Sequence, residues 1–337
     1  MQDSSQVPSA RAVAVEAALE SGLSPATCDT TALVASELAE NLHRHAVDGE
    51  LWLLREPAHG DVAPGLTLLA VDRGPGVAGF SRCLVDGYST NGTMGIGLGT
   101  VRRAAAWFDA ASEPGRGTVV AARLCDPAPD ATPSDEVDVA ALGFPITGEE
   151  VSGDGWACVS RGSRVLVLLA DGLGHGEGAA QASRRAARAL HALADRSPAE
   201  VLRALDEELV GTRGAAVTLA QVEVSALRAG GTVTSAGLGN VSVMVSGPDG
   251  STRRAATGHG TAGARGRNRY AEQVSELPQD GVLLLHSDGL TSRWTLEGRP
   301  ELLRHSALVV AAAVLREHER GRDDSLVVVL KAAGPAR

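Results

Sequence analysis

Hydrophobic positions change their period along the chain. Between Pro25 and Ala46 the apolar residues Ala32, Leu33, Leu38 and Leu42 recur at the spacing of a helix that buries one stripe. Leu66 to Val71 is a short continuous apolar run, the pattern of a buried strand, and it ends in Asp72-Arg73-Gly74-Pro75-Gly76. Gly95-Ile96-Gly97-Leu98-Gly99 is predicted to open a second helix reaching Trp107. From Val137 the pattern turns β-rich. Residues 165–169, 217–222, 241–245, 282–285 and 326–330 are strand candidates separated by turn clusters. Stretches 178–193, 198–209 and 301–317 read as helices. Helices grouped among antiparallel strands predict a layered α+β sandwich.

The periodicity breaks at residues 126–138, DPAPDATPSDEVD, where three prolines and five acidic residues interrupt it. Such a segment predicts an extended linker. It divides the 337 residues into an expected first domain over 7–125 and a second over 139–332. No internal repeat crosses the boundary.

Composition narrows the function classes. A formal charge of −10 argues against a nucleic-acid partner, which calls for a basic face. The 44% apolar content is that of a globular protein despite 3% aromatics. No apolar run approaches the ~20 residues that span a bilayer, and Met1 to Pro8 lacks a basic segment followed by an apolar one. The expectation is a cytoplasmic protein. Cys28, Cys83, Cys125 and Cys158 form no Cys-x-x-Cys pair and are expected to be reduced, mostly as small core residues.

Candidate chemistry in the first half starts on the helix over 25–46. Glu37, Asn41 and His45 recur every four residues and share one face, as a base and a metal-ligating amide need to. A solvated polar face has the same pattern. The Asp72 turn then places a carboxylate beside glycines that let a ligand approach the main chain, and such a carboxylate can accept a hydrogen bond from an exocyclic amine. The glycines at 95, 97 and 99 precede a helix whose free N–H groups can bind phosphate. They lack the preceding strand of a dinucleotide fingerprint and the Gly-Lys-Ser/Thr of a P-loop.

In their order, these three elements resemble the GHKL ATPase family, in particular its anti-sigma and switch-protein serine kinases of the RsbT and RsbW kind. The resemblance covers roughly residues 10 to 125. It implies a Bergerat-type α/β sandwich that binds ATP, with Glu37 as catalytic base and Asn41 as a magnesium ligand. Asp72 would read the adenine with Gly74, Gly76 and Thr118, and Gly95, Gly97 and Gly99 would line the phosphates. Residues 81–93 would form a lid. His45 matches the end of the helix motif and receives no chemical role.

In the second half, aspartates stand at four turns, Gly153-Asp154-Gly155, Ala170-Asp171-Gly172, Ser287-Asp288-Gly289 and Arg322-Asp323-Asp324-Ser325. An Asp-Gly pair is commonly an ordinary turn. Two of these, however, directly follow the apolar runs VLVLLA and VLLLHS, where a carboxylate needs compensation. Oxygen donors without a His/Cys cluster favour Mg²⁺ or Mn²⁺ over zinc, and a pair of such ions supports in-line phosphoryl displacement.

With the segment Gly172-Leu173-Gly174-His175-Gly176, this domain resembles the PPM-type metal-dependent protein phosphatases of the SpoIIE and RsbX branch, over roughly residues 137 to 332. The resemblance implies an α-β-β-α sandwich. In it Asp171 bridges two metals with the Gly172 carbonyl assisting, Asp154 and Asp288 add ligands, and Asp323 completes the set. Asp324 stands where relatives often have Asn, and Gly239-Asn240 matches a recurrent strand-turn element of structural character. Leu173 occupies the place of the wider family's histidine, which leaves the leaving group's acid open between a metal-bound water and His175.

Taken together, the two resemblances imply a bifunctional partner-switching regulator that phosphorylates and/or dephosphorylates Ser/Thr of STAS-type antagonist (anti-anti-sigma) proteins and so controls a sigma factor. Its cofactors would be ATP and Mg²⁺ or Mn²⁺. The alternative is a phosphatase whose ATP domain only sequesters a sigma factor or antagonist, or senses ATP.

Overall fold

Ser24 starts the longest helix of the first half by accepting a hydrogen bond from Thr27 N (3.4 Å), with Pro25 pre-set for the first turn. The computed structural model that shows this describes residues 5–56, 63–80, 97–126, 136–264 and 268–334. The chain divides into two units, Met1–Ser134 and Asp135–Gly334.

In the first unit α1 (Gln6–Glu20) and α2 (Pro25–His45) precede β1 (Glu50–Glu56), β2 (Gly65–Val71), α3 (Gly97–Ala104), β3 (Trp107–Glu113) and β4 (Gly117–Cys125). The strands form one antiparallel sheet in the order β1-β2-β4-β3. Val34, Ala35, Leu38 and Leu42 of α2 pack with Leu66, Leu68 and Ala70 of β2, one side of the pleat. Every residue of β2 is buried, as its unbroken apolar run requires. Asp126, expected as the first linker residue, instead accepts hydrogen bonds from the Ser24 and Thr27 hydroxyls (both 2.6 Å), tying the end of β4 to the start of α2. Residues 127–135 of the expected linker lie outside the described residues.

One element differs from expectation. The helix opened at Gly97 ends at Ala104 and does not reach Trp107, which begins β3 opposite Arg123. Ladder pairing captures the backbone there: Ala106 N already donates to Arg123 O (2.9 Å).

The second unit is two five-stranded antiparallel sheets face to face. One has the order β12-β9-β8-β7-β6, from Gln273–Leu277, Gly231–Leu238, Ala215–Glu223, Arg164–Gly172 and Asp154–Arg161. The other has the order β11-β10-β13-β14-β5, from Thr252–Ala255, Ser242–Ser246, Val282–His286, Ser325–Ala332 and Val137–Phe144. β7 shows how the sequence builds the layers. Val165, Val167 and Leu169 face the core between the sheets, while Leu166, Leu168 and Ala170 face α4 (Glu177–Leu193) and α5 (Pro198–Glu208). Both faces are covered, so the strand is apolar throughout. A short α6 (Val224–Ala229) follows β8, and α7 (Ala307–His318) packs on β5 and β14 of the other sheet. The result is an α-β-β-α sandwich, and the expected α+β class holds.

The helix expected over 301–317 is broken. Leu302–Arg304 forms one 3₁₀ turn, and Ser306 then caps α7 by accepting from Val309 N (3.3 Å). Lys331 donates to the carbonyls of Leu303 and His305, which a continuous helix would have used internally.

Candidate functional site

The four aspartate turns meet at one end of the two-sheet unit. Asp154 and Asp171 are cross-strand partners at the ends of β6 and β7. Asp288 follows β13, Asp323 and Asp324 precede β14, and β13 and β14 are neighbours. The Ser287 hydroxyl accepts from Leu326 N (3.0 Å), which holds these two turns together.

Gly153 is the hinge pin of the cluster. Its N–H donates to Asp324 Oδ2 (2.8 Å), and its carbonyl accepts from Gly172 N (3.2 Å). A Cβ at 153 would lie 2.8 Å from both Ala179 Cβ and Asp324 Oδ2. Gly153→Ala is therefore expected to cost about 1–3 kcal/mol by overpacking. Calorimetry of the full chain should show the second unit melting lower by several degrees.

Asp324 is only 3% exposed, and both its oxygens are engaged, Oδ1 by Ile146 N (2.8 Å) and Oδ2 by Gly153 N. It staples the turn that carries Asp154. By contrast, both carboxylate oxygens of Asp154 are buried without a hydrogen-bond partner among the described residues. Burial, more than the adjacent carboxylates of Asp324, Asp288 and Asp323, holds Asp154 well above the usual carboxylate range; the Ser287 hydroxyl, near it but outside hydrogen-bonding geometry, offsets this only in part. Burial and then Asp154 push Asp171 up in the same way. Asp288 is raised by burial and by Asp323, against the lowering effect of Asn240.

A crowd of oxygen donors, two of them orphaned, is what a hard divalent cation neutralises. The residues present fit such an ion. Among the described residues no three His, Cys, Asp or Glu side chains form a ready-made metal group. Histidine contributes little here. His286 is buried, which pushes its pKa down to about 4 and keeps it neutral. His175 is exposed and paired through Nδ1 with Glu149 Oε1 (2.6 Å).

In the first unit, Glu37 and Asn41 converge with Gly97. A Cβ on Gly97 would lie 2.8 Å from Glu37 Oε2 and 3.8 Å from Asn41 Nδ2. The Asn41 amide nitrogen is buried without a partner among the described residues. Asp72 Oδ1 accepts from Gly74 N (2.6 Å), Asp72 N donates to Thr118 O (3.0 Å), and the Thr118 hydroxyl meets Ser112 Oγ (2.8 Å). Gly76 adopts φ 63°, and its Cβ position is filled by Glu113 O at 2.0 Å, so glycine is required. Gly99 is buried in the first turns of α3. Gly95 and the expected lid over 81–93 lie outside the described residues.

The sequence profile described as stage II sporulation protein E (SpoIIE) matches residues 161–333, the stretch carrying three of the four aspartate turns. The chain belongs to the SpoIIE family. Two solved structures share the fold of the second unit's size. One is a chain of the bacterial stressosome, described as a modular system adapted to control secondary messenger signaling. It has 23% identity and a TM-score of 0.51, over 58% of this chain and all of that one. The other is RsbX in complex with magnesium, with 16% identity and a TM-score of 0.50, over 60% of this chain and 98% of that one. The SpoIIE match and this shared fold fall on the unit that carries the aspartate cluster. A separate relative is the serine/threonine-protein kinase RsbT of Bacillus subtilis (strain 168), 37% identical over 93 residues. These make up 28% of this chain and 67% of RsbT.

Sequence reasoning left Asp324 open and gave Asn240 only a structural character. Asn240 donates its side-chain amide to Asp288 Oδ2. Nothing local pairs them, because 48 residues separate the two. No helix among the described residues is long and apolar enough to cross a membrane. Cys28, Cys125 and Cys158 are free, and burial raises the Cys158 thiol to about 11, keeping it protonated.

Proposed function

We propose that this SpoIIE-family chain is a bifunctional partner-switching enzyme, removing phosphate from Ser/Thr of a STAS-type antagonist with its second unit and adding it with its first. The observation that carries the phosphatase half is the buried, unpartnered carboxylate of Asp154 beside Asp171. On this reading Asp154, Asp171, Asp288 and Asp323, with the Gly172 carbonyl, hold two Mg²⁺ or Mn²⁺ ions. Such a pair, when bound, activates water and neutralises the phosphoryl oxygens. The protein's own part is positional. Asp324 and Gly153 lock the Asp154 turn, Asn240 orients Asp288, and the β6/β7 ladder sets Asp154 opposite Asp171. His175 is exposed, with its Nδ1 paired to Glu149 Oε1.

The kinase half rests on the first unit. Glu37, Asn41 and Gly97 face one another, the Asn41 amide lacks a partner, and the RsbT relative is a serine/threonine-protein kinase by name. Glu37 would take the hydroxyl proton, Asn41 would hold a magnesium ion, and Asp72 with Gly74, Gly76 and Thr118 would receive the adenine. Gly95, Gly97 and Gly99 would cradle the phosphates.

The test uses the full chain, a serine-phosphorylated STAS protein and Mn²⁺. Phosphate release that a chelator stops is the expected result. No release at any Mn²⁺ concentration overturns the phosphatase reading, and failure to bind ATP at millimolar nucleotide overturns the kinase reading separately.

A further inference from the structure

We infer that Asn240 is a positioning residue that aims Asp288 at the divalent cation and thereby sets the protein's metal affinity. This rests on the metal-centre reading above.

Asp288 differs from its neighbours. Asp154 has both carboxylate oxygens buried and Asp324 has both oxygens satisfied by backbone N–H groups, but Asp288 lies half-buried in a turn after β13 with its carboxylate held by a side-chain amide. A carboxylate there is a two-fold rotor with like-charged Asp323 nearby, which would turn it away from a shared centre. Asn240 counters that rotation. It stands just beyond β9, in the turn that leads to β10, and its Nδ2 donates to Asp288 Oδ2. Because a carboxylate only accepts, the amide must present its nitrogen, and its orientation is fixed by its partner. Asp288 Oδ2 is thus held toward Asn240, which fixes the direction of the carboxylate. Arg320 completes the hold on the main chain: its N–H donates to Gly289 O (2.9 Å) and its Nη1 to Asp288 O (3.3 Å). The turn is anchored through its backbone, and Asn240 supplies the side-chain hydrogen bond that steers the carboxylate, with the Arg320 charge and the Asp288 main chain adding to the hold. Asn240 is itself exposed and lies outside the packed core, and its loss removes orientation without removing fold.

The experiment titrates Mn²⁺ alone into the full chain by calorimetry, with melting of the metal-free proteins followed in parallel. Asn240→Ala is expected to weaken Mn²⁺ binding about 10- to 100-fold, the usual effect of removing a group that orients a ligand, with the metal-free melting temperature unchanged. Binding equal to wild type overturns the inference. So does a weakening matched by a drop of several degrees in the metal-free protein, which would mark a merely structural role. If wild type itself binds no Mn²⁺, the metal-centre reading falls and takes this inference with it, a pattern distinct from failure of Asn240 alone.

Discussion

Asp171→Asn is expected to lower metal-dependent release of phosphate from a phosphoserine partner by about a thousandfold, because the proposed bridging group is worth several kcal/mol and each ~1.4 kcal/mol is a factor of ten. The same substitution should raise the melting temperature of the metal-free protein. Asp171 is packed against Asp154, with Asp288, Asp323 and Asp324 close enough to add repulsion. Removing one carboxylate relieves desolvation and like-charge crowding together. A gain on the order of 1 kcal/mol corresponds to about 2–4 °C for a unit of this size. Phosphate assays and scanning calorimetry on one preparation check both halves. Full activity would remove Asp171 from the centre, and a lowered melting temperature would mean that the carboxylate supports the fold instead of straining it.

Glu37→Gln should abolish phosphate addition while leaving ATP binding intact. The amide keeps the shape of the side chain beside Gly97 but cannot accept the hydroxyl proton, and general-base catalysis contributes about 10²–10⁴-fold. The measurement is mass spectrometry of a STAS partner incubated with ATP and Mg²⁺, made in the Asp171→Asn background so that the phosphatase does not erase the product. Phosphate gain that persists after Glu37→Gln would take the base role from Glu37. No gain with Glu37 intact, together with normal ATP binding, would leave a phosphatase whose first unit binds or senses nucleotide.

Local pattern alone determined much of this protein. The stripe of α2 is legible because Ser24, Pro25 and the 3.6-residue spacing of its apolar positions act within the helix itself. β2, β7 and β13 are legible because strands covered on both faces must be apolar along their whole length, and the aspartates at the ends of β7 and β13 stand out against that background. The charge and the aspartate turns pointed to hard cations for the same reason, since donor type is a property of the residue.

The tertiary structure decided what depends on partners remote in sequence. Trp107 is a strand residue because Arg123 of β4 pairs with it, although the helix before it had no internal stop. The helix over 301–317 breaks because Lys331, 26 residues beyond His305, takes its carbonyl. Asp324 became a staple through N–H groups 171 and 178 residues away, and Asn240 found Asp288 across 48. Helix periods, caps and donor chemistry are encoded within a few residues, whereas the aim of a carboxylate is set by whichever hydrogen bond the folded backbone brings to it, and that choice exists only once the sheets have packed.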